Sequence, residues 1–183
     1  MLNRLFALFL IIILSPIFLL VVIAILVEDG FPVFFTQKRV GINYSFFNIY
    51  KFRSMKNNSP NVATHLLINP DHYLLKLGKF IRKTSLDELP NLINILKGEM
   101  VFIGPRPALY NQDDLMALRV SAGVDKLKPG ITGWAQINGR DEISIEAKVA
   151  LEKEYLKRKS IAFDFQILVN TFTKVLFSKG VSH

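Results

Sequence analysis

The 183-residue chain has no cysteine, which excludes disulfides, thiolate-bound zinc, iron–sulfur clusters and any thiol nucleophile. Histidine is scarce too. His65, His72 and His183 are the only three, and none stands in an H-E-x-x-H or comparable spacing, so a histidine-based zinc site is not expected. Acids are outnumbered, fifteen Asp and Glu against twenty-three Lys and Arg, for a formal charge of +8. That excess favours anionic partners such as nucleic acid, phospholipid head groups or phosphorylated substrates, without choosing among them. There is no internal repeat and no low-complexity tract. The length leaves room for one domain with a genuine core.

What the chain does have is concentrated at its start. Half of the residues are hydrophobic, and Leu5 to Val27 is an uncharged run of 23, where about 20 suffice for a helix to cross a bilayer. The run is longer than the apolar region of a cleaved signal peptide and has no small-x-small site before Glu28. Pro16, in its middle, deletes a backbone hydrogen bond and bends a helix, so a full span and a re-entrant helix both fit. Arg4 before the run and Lys38 and Arg39 after it give no inside–outside asymmetry. The expected division is a membrane-embedded segment, 1–30, and one further unit, 31–183.

Phe31 to Phe52 is rich in aromatic and β-branched residues around Val40-Gly41-Ile42-Asn43, which suggests a short β-hairpin. Asn57 to Asn69 reads as a polar loop. Asp71 can cap a helix that buries Leu74, Leu75, Leu77, Phe80 and Ile81. A second helix is expected from near Ser85 to Leu96, stopped by Gly98. Gly104 to Pro107 and Pro129 to Arg140 read as loops, and Asn111 to Val120 and Ser144 to Lys159 as charged helices. Phe165, Leu168, Val169, Phe172, Val175 and Leu176 share one helical face, suited either to the core or to a membrane interface.

Three segments could carry chemistry. In Arg82-Lys83-Thr84-Ser85-Leu86-Asp87-Glu88-Leu89-Pro90, Ser85 and Glu88 match a capping box, and acids in a first helical turn are favoured without any catalysis. Pro90 sits awkwardly for a cap at Ser85 and more comfortably for one at Asp87. Either way, two adjacent carboxylates beside Arg82 and Lys83 could bind a divalent cation or attack phosphorus. In Gly104-Pro105-Arg106-Pro107, two prolines restrict the backbone around a guanidinium suited to bidentate phosphate contact, or simply make a rigid surface turn. In Lys128 to Arg140 (KPGITGWAQINGR), glycines permit close backbone approach, Trp134 could stack on a base or pack in the core, and Arg140 could reach phosphate. A membrane-anchored site with fixed cations, a carboxylate pair and neither histidine nor cysteine suits phosphoryl transfer. A membrane-tethered module binding nucleic acid or another anionic ligand, with Lys157-Arg158-Lys159 as one basic cluster, is the rival from another class.

Tyr50-Lys51-Phe52-Arg53-Ser54-Met55, Thr84 to Pro107 (TSLDELPNLINILKGEMVFIGPRP) and Lys128 to Arg140, in this order, closely resemble the bacterial sugar transferases, the small monotopic phosphoglycosyl transferases. The resemblance implies an α+β, mainly α-helical fold. It would have an N-terminal re-entrant membrane helix, broken at Ser15-Pro16, and a small cytoplasmic domain with a short β-hairpin and interfacial amphipathic helices. It implies transfer of a sugar phosphate from a UDP-sugar to polyprenyl phosphate, usually undecaprenyl phosphate, releasing UMP through a covalent aspartyl intermediate. That step initiates glycoconjugate assembly. Asp87 matches the nucleophile and Glu88 the second acid, together holding Mg²⁺. Lys51, Arg53, Arg82, Arg106 and Arg140 match positions that bind substrate or phosphate. Inner-membrane phospholipid is an implied partner, nucleic acid is not, and self-association is left open. The catalytic domain would face the cytoplasm. Glu99, Val101 and Lys128 depart from the family's usual Asp, Ser and Arg, and the EKEY stretch of Glu152 to Tyr155 departs from its usual Asp and paired tyrosines; none touches the acid pair.

Overall fold

A computed structural model describes residues 1–59, 70–139 and 143–176. Its longest element is helix α1, Leu2–Asp29, 28 residues with Pro16 inside, about 42 Å at 1.5 Å per residue. Pro16 has no amide to offer the Ile12 carbonyl one turn back, and the Ser15 hydroxyl donates to that oxygen instead, at 2.7 Å. This substitution lets the helix continue through the proline.

Helix α1 is moored to the rest of the chain at both ends. Near its start Arg4 donates to the Lys97 carbonyl at 2.9 Å. At its finish the Glu28 carboxylate accepts from the Lys76 amide at 2.6 Å, and Asp29 pairs with Arg53. Between the moorings two apolar clusters form against it. Ala7 joins Phe47, Ile49, Leu92, Ile95 and Met100, and Val21 and Ile25 join Val33, Phe52, Leu75 and Ile81. The other face, including Leu5, Phe9, Ile12, Ile13 and Leu20, is exposed.

The expected hairpin is present as strands β1, Phe34–Val40, and β2, Phe46–Phe52, antiparallel with Phe34 opposite Phe52 and Val40 opposite Phe46. Asn43 and Tyr44 take positive φ in the turn between them. The helix expected from Asp71 is instead two, α2, Pro70–Tyr73, and α3, Lys76–Lys83; the Asp71 side chain lies outside the described structure. The break follows from docking on Ser54. Its carbonyl accepts from the Leu75 amide at 3.0 Å, and Gly78 lies so close that a Cβ would collide with that oxygen. Leu75 and Ile81 are buried as expected, whereas Phe80 is exposed.

Beyond α3 a 3-10 turn, Leu86–Glu88, leads into helix α4, Asn91–Lys97. Gly98, left-handed at φ 85°, ends α4 as the sequence indicates. Strand β3, Val101–Ile103, pairs in parallel with β4, Gly130–Thr132. Between them lies helix α5, Asp113–Ala122. After β4 come α6, Trp134–Ile137, α7, Ile145–Arg158, and α8, Ile161–Leu176. Ser144 caps α7 by accepting from the Ala147 amide at 3.2 Å. The segment from Pro129 to Asn138, expected to be loop, thus holds β4 and α6, pieces of three and four residues too short to show a period. Helix α8 buries Phe163 and Ile167 and turns Phe165, Leu168, Val169 and Phe172 outward. Among the described residues the hairpin and the short parallel pair are the two sheets and helices predominate, an α+β fold.

Candidate active site

The segment that carries the acid pair does not fold as a capping box. Ser85 adopts a left-handed conformation, φ 57° and ψ 18°, and makes no side-chain cap. The start of α4 therefore shifts to Asn91, with Pro90 just before it at φ −62°, the place where a missing amide donor is harmless. Asp87 and Glu88 are left on the 3-10 turn with no capping duty. A non-glycine residue held in the left-handed region is a strain of about 1 kcal/mol or more that surrounding structure must sustain, and such strain gathers at functional sites.

The two acids have different surroundings. Glu88 accepts a hydrogen bond from the Lys51 ammonium at 2.6 Å, and the Arg106 guanidinium stands 3.6 Å from the same oxygen. Asp87 accepts no hydrogen bond and makes no ion pair among the described residues. Its pKa is pushed up from 3.8 to about 6, first by burial, with the neighbouring Glu88 charge adding to the rise and Lys51, Arg82 and Arg106 opposing it. At neutral pH Asp87 is thus mostly ionised, poorly solvated and unpartnered, as a carboxylate nucleophile needs to be.

The cations come from separate elements. Lys51 is on β2, held toward Glu88 across from the hairpin. Arg82, in the last turn of α3, donates to the Ser54 hydroxyl at 2.8 Å, and burial lowers its pKa while Asp87 resists that change. Arg106 belongs to the Pro-Arg-Pro turn after β3. Lys51, Glu88 and Arg106, with Arg39, Asn91 and Gly130, line a cleft beside the acid pair. Asn91 is almost wholly buried.

The structure thus brings Lys51, Arg82 and Arg106 together around Asp87 and Glu88. Arg53 lies elsewhere. Its guanidinium is engaged by the Asp29 carboxylate and by the Gly30 carbonyl at 2.6 Å, because the acid ending α1 needs a counter-charge. Arg140 lies outside the described residues. Trp134 takes the packing role, with its ring 4.9 Å from that of Phe163 and its indole N–H donating to Glu154 at 2.9 Å. Sequence reasoning missed Arg39 and Asn91 in the cleft. Asn91 directly follows Leu89-Pro90 and could have been suspected from that position, whereas nothing local marks Arg39.

The family model for bacterial sugar transferase matches residues 1–178. The chain belongs to the bacterial sugar transferase family. It is 43% identical to the sugar transferase EpsL of Bacillus subtilis (strain 168), over 98% of this chain and 90% of that protein. It is 38% identical to the UDP-glucose:undecaprenyl-phosphate glucose-1-phosphate transferase of Escherichia coli (strain K12), over 91% of this chain and 37% of the relative. Against the undecaprenyl-phosphate glucose phosphotransferase of Komagataeibacter xylinus it is 37% identical, over 91% and 34%. This family member therefore matches EpsL over most of its length and the two larger relatives over about a third of theirs.

Proposed function

We infer that this chain transfers a sugar-1-phosphate from a UDP-sugar to polyprenyl phosphate, with Asp87 as nucleophile. The observation that carries this reading is the division between the acids, one bound by Lys51 and one half-buried amid three cations with no hydrogen-bond or ion-pair partner among the described residues. The names of the Escherichia coli and Komagataeibacter relatives supply the acceptor, undecaprenyl phosphate, and the first of them supplies the nucleotide donor. An Asp87 oxygen bonds to the β-phosphorus while its bond to the bridging oxygen breaks, and UMP leaves with that oxygen. A phosphate oxygen of polyprenyl phosphate then bonds to the same phosphorus and releases the Asp87 carboxylate, leaving a polyprenyl diphosphate sugar. Arg106 and Arg82 hold the phosphoryl oxygens in line and offset the negative charge that gathers on them. Lys51 holds the Glu88 carboxylate in place through its hydrogen bond.

The donor set also suits Mg²⁺. Among the described residues there is no group of three or more acidic or histidine side chains for a metal, but Mg²⁺ is commonly held by one or two carboxylates plus substrate phosphates and water. Asp87 and Glu88 would hold it, and it would neutralise charge on the diphosphate.

The structure also bears on how the protein meets the membrane. Helix α1 is apolar and long enough to cross a bilayer. A helix bound to one polar domain at both ends, however, could stand upright across the bilayer only by drawing that domain into it. We read α1 as embedded from one side, its exposed apolar face in lipid, with the outward face of α8 at the same interface and the catalytic turn on the cytoplasmic side of the inner membrane. Introduced cysteines at Leu2 and Gly30 in the otherwise cysteine-free chain should both react with an impermeant maleimide from the same side; labelling from opposite sides would reject this placement.

The enzymatic reading is tested by UMP release from the purified protein in lipid with Mg²⁺, undecaprenyl phosphate and a panel of UDP-sugars, beside Asp87→Asn. Release with one donor that disappears in the variant is the expected result. Folded protein that is silent with every donor would reject the reading, and salt-sensitive binding to nucleic acid that survives the substitution would favour the tethered binding module.

A further inference from the structure

The Pro-Arg-Pro turn is held by its carbonyls. Prolines at 105 and 107 offer no backbone donors, and four consecutive acceptors are each taken by a different group. The Pro105 carbonyl accepts from the Gly130 amide at 2.9 Å, and the Ala108 carbonyl from the Val40 amide at 3.0 Å. The Pro107 carbonyl accepts from the Arg39 guanidinium at 3.0 Å, and the Arg106 carbonyl from the Arg119 guanidinium at 2.9 Å.

Arg119 is unusual among these. It sits on α5 at 5% exposure, facing Glu152 on α7 at 2%. Its Nε donates to one Glu152 oxygen at 2.8 Å and its Nη2 to the other. The same Nη2 reaches the Arg106 carbonyl. One helical turn before Arg119 stand Leu115 and Met116, and one turn before Glu152 stands Val149, members of one buried apolar cluster with Ala108. A buried ion pair is a poor way to stabilise a fold, since well-packed apolar residues of similar volume often do as well or better. The hydrogen bond to Arg106 is what such residues could not supply. Glu152 neutralises the guanidinium, so Arg119 places no net charge behind the site, yet it stays in position to donate.

We propose that Arg119 and Glu152 are positioning residues for the reaction. Glu152 orients Arg119, and Arg119 fixes the backbone at Arg106 so that its own guanidinium is aimed at the phosphoryl group beside Glu88. This rests on the phosphoryl-transfer reading above. It adds two residues from outside the three motifs quoted above, both buried away from solvent.

The experiment is a double-mutant cycle on UMP release. Arg119→Met/Glu152→Leu replaces the buried pair by apolar side chains, and its fold is checked by thermal unfolding in the same lipid. The variant should unfold at a temperature close to that of the parent while kcat/KM for the UDP-sugar falls by about 10- to 100-fold, the size expected from a misplaced catalytic group. In an Arg106→Ala background the same two changes should have less than about a twofold further effect, because the group they position is gone. A merely structural pair would lower turnover by the same factor in both backgrounds, and that result overturns the proposal, as does full activity in Arg119→Met/Glu152→Leu. If Arg119→Met/Glu152→Leu fails to fold, Arg119→Lys, which keeps the charge but loses the fork that serves two acceptors, is put through the same cycle with the same criteria. A parent protein that neither releases UMP nor binds UDP in calorimetry rejects the proposed function itself and this inference with it; an active parent with additive variants rejects this inference alone.

Discussion

Two turns meet at the cleft, and they are built on opposite plans. From Ser85 to Pro90 the side chains do little for the backbone. Ser85 is strained, neither it nor Pro90 caps a helix with its side chain, and Asp87 is left half-buried with no hydrogen-bond or ion-pair partner among the described residues. From Gly104 to Ala108 the carbonyls of residues 105 to 108 are all anchored, and Gly104 lies so close to the 128–130 backbone that a Cβ would collide with the Lys128 carbonyl. The comparison separates two tasks. A group that must form and break a bond gains from being poorly satisfied, whereas a group that must hold charge in place gains from a rigid mount.

Substitutions should reveal that difference, the largest through Asp87→Asn. Loss of the proposed nucleophile should lower kcat by about 10⁴-fold with the fold intact, measured by UMP release alongside circular dichroism. Residual turnover within tenfold of the parent would mean the unpartnered acid is not the reacting one. Next, Gly104→Ala should destabilise the protein by about 3 kcal/mol, because the obstacle is anchored backbone rather than a movable side chain; a chemical-denaturation midpoint unchanged from the parent would show that the second turn is less rigid than its bonds indicate.

A third effect is pH dependence. The folded protein raises the Asp87 pKa from 3.8 to about 6, so it binds that proton more tightly than the unfolded chain does. The resulting stabilisation is fully present below pH 3.8 and is lost as pH rises through about 6. Asp87→Asn has no such proton, and its unfolding temperature relative to the parent should climb between pH 4 and 6 and then level off. A flat difference across that range would remove the case for a half-buried, poorly solvated Asp87. In the parent, measured without added metal, the ionised fraction of Asp87 should fall about tenfold per unit well below pH 6. The smallest effect is that of Ser85→Gly, which releases left-handed strain at the expense of unfolded-chain entropy and should raise stability by about 1 kcal/mol or less, seen as a small upward shift of the melting temperature. A loss there would mean that Ser85 is not strained.

The sequence makes some of this legible and hides the rest for identifiable reasons. Gly98, Ser144 and the turn residues around Gly41 act over a few residues, and the elements they punctuate are where local chemistry puts them. The start of α4 was misplaced because Ser85 and Glu88 satisfy a capping pattern that the left-handed Ser85 prevents from forming. Strand β4 is stabilised by a partner 29 residues away, Val101 opposite Gly130, and no local pattern can announce that. Motif and resemblance point to Asp87, Glu88, Lys51, Arg82 and Arg106, which the fold brings together, and they assign no role to Arg119 or Glu152. One clue to Arg119 was available. It stands four residues after Leu115 and three after Met116, a charge on the apolar face of its own helix, and such a charge needs a buried partner.

The moorings of α1 carry a practical consequence for anyone seeking a water-soluble version of this enzyme. Removing residues 1–29 would strip one wall from two apolar clusters and leave Phe47, Leu92 and Ile95, and separately Phe52, Leu75 and Ile81, facing solvent. The amphiphilic character of the molecule is built into its interior, so a truncated form would aggregate through the surface it had lost, and a foreign hydrophobic anchor spliced in its place would fail unless it reproduced Ala7, Val21 and Ile25 in register with Arg4 and Asp29.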